Sequence, residues 1–119
     1  MAGVQVSAIE PLTAPTFTRT GITGLRQSIS TIVTVNYEVS SAARTTSETL
    51  RGSIAKLFHD KGWLDGMPKG MSSATLTDNG VVRYPLAFHA SSERFPNIAY
   101  MWIADDLSAI QCTYIIRKK

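Results

Sequence analysis

The chain has one cysteine, two histidines and no apolar run approaching the ~20 residues that a membrane-spanning helix requires. Each shortage excludes a class of protein. A lone Cys112 rules out a disulfide framework. His59 and His89 are far apart and lack CxxC or HxxxH companions, so no metal ligand set and no cofactor is expected. Acids are scarce early on: Glu10 is the only one in the first 37 residues, whereas Arg117, Lys118 and Lys119 close the chain. The formal charge of +3 is a mild bias that suits solubility or an anionic partner such as RNA, without forming a basic patch. "MAGVQVSAIEPLTAPTF" has neither the basic n-region nor the apolar h-region of a secretory signal, which predicts folding in the cytoplasm, away from any membrane.

With 119 residues, 44% of them hydrophobic and 18% charged, the chain is long enough for one domain that holds a core without staples. Residues 1–27 are rich in Thr, Gly and Pro, with a short alternating piece at Val4, Val6 and Ala8, and read as an extended N-terminal arm. Residues 28–119 read as a single α+β domain: one antiparallel β-sheet with a principal α-helix packed on one face. In "SISTIVTVNYEV", 28–39, Ile29, Val33, Val35, Tyr37 and Val39 alternate with polar residues, which predicts a strand with one wet face.

Thr45 and Glu48 make a capping-box pair ahead of Leu50, Ile54, Leu57 and Phe58, which recur at helical spacing; Gly62 then suits a left-handed ending with Trp63 folded back onto Phe58. Gly52 inside this helix suggests close packing against the sheet. "LDGMPKGMSS" is loop, and "ATLTDNGVVRYPLAFHA" is a hairpin. A three-residue loop of Asp78, Asn79 and Gly80 keeps the faces consistent by pairing Leu76 with Val82 and Ala74 with Tyr84. Val82, Tyr84, Leu86 and Phe88 then face the core, Arg83 and His89 face out, and Pro85 marks an edge or a bulge. Residues 97–104 and 109–117 read as a hairpin turning at Asp105-Asp106. Its rival is a helix begun by Ser92, with Phe95, Ile98, Ala99, Trp102 and Ile103 on one side.

No catalytic set emerges, and the protein is expected not to be an enzyme. Lys56 and Asp60 form an i, i+4 pair from which His59 turns away, so the three do not converge and read as scaffold. Cys112 alternates with Ile110 and Tyr114 as a small core residue, and Asp105-Asp106 reads as a turn former. "GITG" has the spacing of a KH-domain clamp without its flanking helices, and "GMPKG" lacks the spacing of a phosphate loop. Two features point to binding. Thr34, Asn36, Arg83, His89, Gln111, Thr113 and Arg117 gather on the polar face of the sheet, where they can meet phosphates and unpaired bases. The segment with Ile98, Tyr100, Met101, Trp102 and Ile103 is apolar on both sides. One helix hides only one side, so the other is expected to meet a second copy or the N-terminal arm.

An arm, an antiparallel sheet with a polar face and an apolar C-terminal third resemble the coat subunits of small single-stranded RNA phages. The likeness is carried by "YPLAFHASSERFPNIAYMWIADDL", 84–107, about a fifth of the chain, which is similar to that family's passage from a strand through a Ser-rich cap into a helix. The resemblance implies a helix over 93–107, strand near 46–58, a sheet-sharing dimer, assembly into a virion shell and RNA on the inner polar face. The function expected is therefore that of a self-associating structural subunit of capsid type that binds RNA. The alternatives are a cone-shaped α+β domain holding a small ligand or substrate through His89 or Asp60, and an inhibitor or immunity-type module that uses the apolar segment.

Overall fold

A computed structural model describes residues 10–12, 16–26, 30–40, 44–66 and 76–117. The elements run β1 (Phe17–Arg26), β2 (Ser30–Val39), α1 (Ser47–Asp60), β3 (Leu64–Asp65), β4 (Leu76–Asp78), β5 (Val81–His89), β6 (Ile98–Ala104) and β7 (Ile110–Arg117). Together the strands make one antiparallel sheet in the order β1-β2-β7-β6-β5-β3, with β4 also beside β5. The sequence piece at Val4, Val6 and Ala8 lies outside the described residues. Within the segment read as an arm, Phe17–Arg26 is the edge strand β1, and Glu10, Pro11 and Leu12 are buried.

The period-two pattern of β2 sets the register of the centre. Val35 lies opposite Cys112, Cys112 opposite Met101, and Met101 opposite Leu86; one step along, Val33, Tyr114, Ala99 and Phe88 form the next row. Facing residues share a face. Both rows are core, because Val33, Val35, Ala99, Met101 and Cys112 have no exposed surface. Leu50, Ile54 and Phe58, one helical stripe of α1, are buried in the same cluster. Phe58 stacks on Phe88 at 4.2 Å, and the rim is closed by Arg51 over the Tyr84 ring at 4.1 Å.

Both helix ends follow from local chemistry. Thr46, not Thr45, is the N-cap: its backbone is extended and its hydroxyl accepts the Thr49 amide at 3.2 Å. Glu48 remains in the first turn, where the helix dipole favours it. At the far end Gly62 has φ +87, the Trp63 amide donates to the Phe58 carbonyl, and the two rings meet edge to face at 5.2 Å. The expected left-handed ending with its apolar clasp is present.

Four expectations need correction. The β4–β5 connection is a two-residue turn, with Asp78 opposite Val81, Thr77 opposite Val82 and Leu76 opposite Arg83. Asn79 and Gly80 both have positive φ, the pairing whose twist matches flanking strands; β4 is a three-residue edge piece, so face consistency weighs little against turn geometry. The segment 98–104 is strand β6, paired on both sides and forming with β7 the hairpin that the sequence favours; the rival helix begun by Ser92 and the helix implied by the coat resemblance do not form there. That resemblance also implied strand near 46–58, which is α1. Finally, Gly52 does not pack closely on anything: a Cβ there would meet nothing within 4 Å.

The last point makes Gly52→Ala a gain. Alanine removes the backbone freedom of an exposed helical glycine without a clash, so the variant should be more stable by about 0.5–1 kcal/mol. Chemical denaturation with unchanged m-value measures it; a loss of stability would mean that the space around this position is filled.

Candidate binding face of the sheet

The side of the sheet away from α1 carries its own rows. Pro85, Trp102, Gln111, Asn36 and Gly21 stand opposite one another across five strands, and the next row holds Ala87, Tyr100, Thr113, Thr34 and Thr23. A third row, His89, Ile98, Ile115, Ile32 and Leu25, is more apolar. Among the described residues no helix or strand packs over this face. Strand alternation thus places all seven polar residues named from the sequence, Thr34, Asn36, Arg83, His89, Gln111, Thr113 and Arg117, on the side opposite the helix.

Their environments differ. Gln111 donates its amide to the Asn36 oxygen at 3.3 Å, and the Thr34 and Thr113 hydroxyls are 3.3 Å apart, so these four form two linked pairs. His89 Nδ1 lies 3.0 Å from the Gly66 carbonyl, which ties it to the loop after β3. Arg117 donates through Nε to the Pro96 carbonyl, while its amide is held by Asn97. Arg83 sits at the other end of the face; the Asp106 carboxyl nearby is held below its usual range chiefly by hydrogen bonds from Ser108, with a lesser contribution from the Arg83 charge. Arg83 and Arg117 are about 27 Å apart along the strands, eight residues at the antiparallel rise.

The apolar segment divides differently from the expected interface. Met101 and Ile103 lie in the core under the helix, and Ile98, although its register places it on the open side, is fully buried as well, so none of the three has surface to offer a second copy. Tyr100 and Trp102 are half-buried on the open face, edge to face with centroids 5.3 Å apart. Burial alone raises the Tyr100 hydroxyl above its ordinary pKa. The aromatic pair therefore heads the two polar rows, a combination that the sequence pattern by itself splits between an interface and a binding face.

The other candidates do not converge. Lys56 pairs with Asp60 at 3.0 Å, and His59 turns to Asp65 at 2.6 Å, all at the exposed helix end. His89 is on the opposite side of the sheet from Asp60. A groove of about 620 Å³ runs along the helix flank, floored by Phe17, Leu50 and Leu57 and edged by Arg44, Lys56 and Asp60, without either histidine. Asp105 and Asp106 form the β6–β7 turn, where the Asp106 carboxylate accepts the Ser108 amide. No group of three metal-ligating side chains occurs among the described residues. Nor, among them, is any helix long and apolar enough to cross a membrane.

One buried cluster has no sequence signal beyond the isolation of Glu10 in the N-terminal segment. The Tyr37 hydroxyl donates to the Glu10 carboxylate at 2.5 Å, and Arg19 Nε meets the other carboxylate oxygen at 3.2 Å. Tyr114 lies 2.9 Å from Tyr37, so with Tyr37's proton committed to Glu10, Tyr114 donates to Tyr37. Burial is the largest cause that raises all three of Tyr37, Tyr114 and Cys112 above their ordinary pKa values. The cluster ties residue 10 to β1, β2 and β7, and Tyr37, Tyr114 and Cys112 in it are held protonated.

No protein-family model, curated protein or solved structure matches the chain. The site's meaning therefore rests on its own geometry.

Cys112 provides a check on the interior. A wholly buried thiol whose ionised form is disfavoured should resist a disulfide reagent in the native protein at pH 8 and react stoichiometrically in denaturant. Native reaction within minutes would show that the core opens around β7.

Proposed function

We propose that the protein is a non-enzymatic, self-associating subunit that binds single-stranded RNA on the open face of its sheet. The observation that carries this reading is the half-buried Tyr100–Trp102 pair, set at the head of rows of hydroxyl and amide side chains on a face over which no described helix or strand packs. Unpaired bases stack on such rings whatever their identity, at about 1–3 kcal/mol per base. Gln111, Asn36, Thr34 and Thr113 lie beside the rings and offer donors and acceptors to base edges and sugar hydroxyls. Arg83 and Arg117, at the two ends of the face, supply positive charge for the backbone.

The non-enzymatic part rests on dispersal: the thiol is buried in the core, His59 is paired with Asp65 at the exposed helix end, and His89 and the Asp105-Asp106 turn lie apart from that pair. A shell subunit that lays this face on packaged RNA is the sharpest form of the proposal. The polar open face supports it, while strand β6, where the small-phage pattern has a helix, sets the chain apart from that pattern. Binding of a small ligand in the groove beside α1 is the second reading, favoured by its apolar floor between Arg44 and Lys56.

The test is titration of the protein with a short labelled single-stranded RNA, followed by anisotropy. Trp102→Ala should weaken binding by about 10- to 100-fold, the loss of one stacked base, with the thermal midpoint little changed. Replacing Arg83 and Arg117 by Ala should flatten the salt dependence by about 0.7 in log–log slope for each phosphate that the variant no longer neutralises. RNA affinity that ignores Trp102, or no binding by the unaltered protein even at low salt, would reject the proposal.

A further inference from the structure

Among the described residues, β1 is a sheet edge without a neighbour along its whole length. The opposite edge is managed differently. There β5 is flanked by β4 at Val81–Arg83 and by β3 at Phe88–His89. Ala87 turns its carbonyl outward to the Gly66 amide, so Pro85, two residues before it, points at the same gap and has no N–H to leave unpaired. Among the described residues, no short strand, proline or bulge blunts Gly21–Leu25. The bulge of β1 lies between Arg19 and Gly21, after which Gly21–Arg26 runs in regular register. Unpaired backbone of that kind is a template for another strand.

The side chains of this run are arranged for such a neighbour. Ile22 and Leu25 are 44% and 58% exposed, unusual for large apolar residues in this chain. They project to opposite faces: Ile22 shares the helix side with Gly24, and Leu25 shares the open side with Gly21. Each face of the edge therefore carries one bulky side chain and one glycine two or four residues away.

We propose that β1 pairs antiparallel with β1 of a second copy about a two-fold axis through Thr23. In this register Leu25 lies across from Gly21 of the second copy, Ile22 across from its Gly24, and the two Thr23 residues face each other. Each large side chain finds room over a glycine, on both faces at once. A two-fold perpendicular to the sheet keeps both helices on one side and admits only registers centred on a residue. Centring on Gly24 sets Ile22 against Arg26 and leaves two glycines face to face; centring on Ile22 carries the pairing into the bulge and sets Leu25 against Arg19. The Thr23 register alone buries both exposed apolar residues against small partners. It also joins the open faces of two copies into one surface. The inference rests on the self-association half of the proposed function and not on RNA.

Facing residues in an antiparallel pair have Cα atoms about 4.5–5.5 Å apart, within the range a disulfide spans. Thr23→Cys should therefore give a disulfide-linked dimer under mild oxidation, with Cys112 buried and silent and Thr18→Cys unlinked as the control. Light scattering at about 50 µM should give twice the 13.0 kDa chain mass for the unaltered protein. Ile22→Lys with Leu25→Lys, both at exposed positions, should raise the dimer Kd by about 100-fold while the melting of the monomer is retained. A monomer at that concentration overturns the proposal, as does a dimer that survives the double substitution with Thr23→Cys unlinked. Trp102→Ala is expected to leave the mass unchanged, so loss of the RNA reading and loss of this interface register in separate measurements.

Discussion

One helix can close only one face of a sheet, and the rest of the structure is arranged around that limit. α1 has 14 residues and a diameter of about 10 Å, set against six neighbouring strands that span about 24 Å. Its stripe of Leu50, Ile54 and Phe58 meets the side chains of the central strands, and the stack of Phe58 on Phe88 fixes where it lies. The consequence for β6 is direct. Met101 and Ile103 fall under the helix and disappear from solvent, while Tyr100 and Trp102, one residue out of phase, stay on the uncovered side.

A second cover lies where the helix does not reach. Glu10, Pro11 and Leu12 are buried, with Leu12 in the main core cluster and Glu10 bound by Tyr37 of β2 and Arg19 of β1. A buried carboxylate is tolerable only when its oxygens are satisfied, and here one accepts a phenol and the other an arginine. The cost of leaving any of these groups unpartnered holds the segment in one place. Three separate stretches of chain, residues near 10, β1 and β2, are thereby tied together, and the tie continues to β7 through Tyr114.

Much of this was legible in the sequence because two periods are clean. Alternation from Val33 to Val39 and from Ile110 to Ile116 defines faces that the register reproduces, and the spacing of Leu50, Ile54 and Phe58 defines the helix. The open side's seven polar residues come together for the same reason. What failed was local chemistry with little burial behind it. The Asn79-Gly80 turn escapes a face argument because β4 is too short to have a buried face, and the capping threonine is displaced by one position because two adjacent threonines compete. The Glu10 anchor leaves no pattern at all, since its partners are distant in sequence and joined only by the fold. β1 is obscured by its glycines, which lower strand propensity, and by the lack of a clean apolar alternation along it.

Those same glycines give the edge its character. A strand that merely ended the sheet would be expected to carry charge, proline or a bulge throughout, as β5 does with Pro85 and its two short neighbours. β1 has its bulge in the first half only, and beyond it sets bulky apolar side chains and empty positions in a pattern that is self-complementary under a two-fold. Gly21 also lies beneath Asn36, whose amide nitrogen would stand 3.4 Å from a Cβ there, so the position is small for a reason internal to the chain as well. Edge and face are then coupled by geometry: the row that begins at Trp102 and passes Gln111 and Asn36 ends at Gly21, where the second copy's Leu25 would lie. A surface built across the sheet in rows reaches the subunit boundary along those rows, and pairing at β1 extends it without a break.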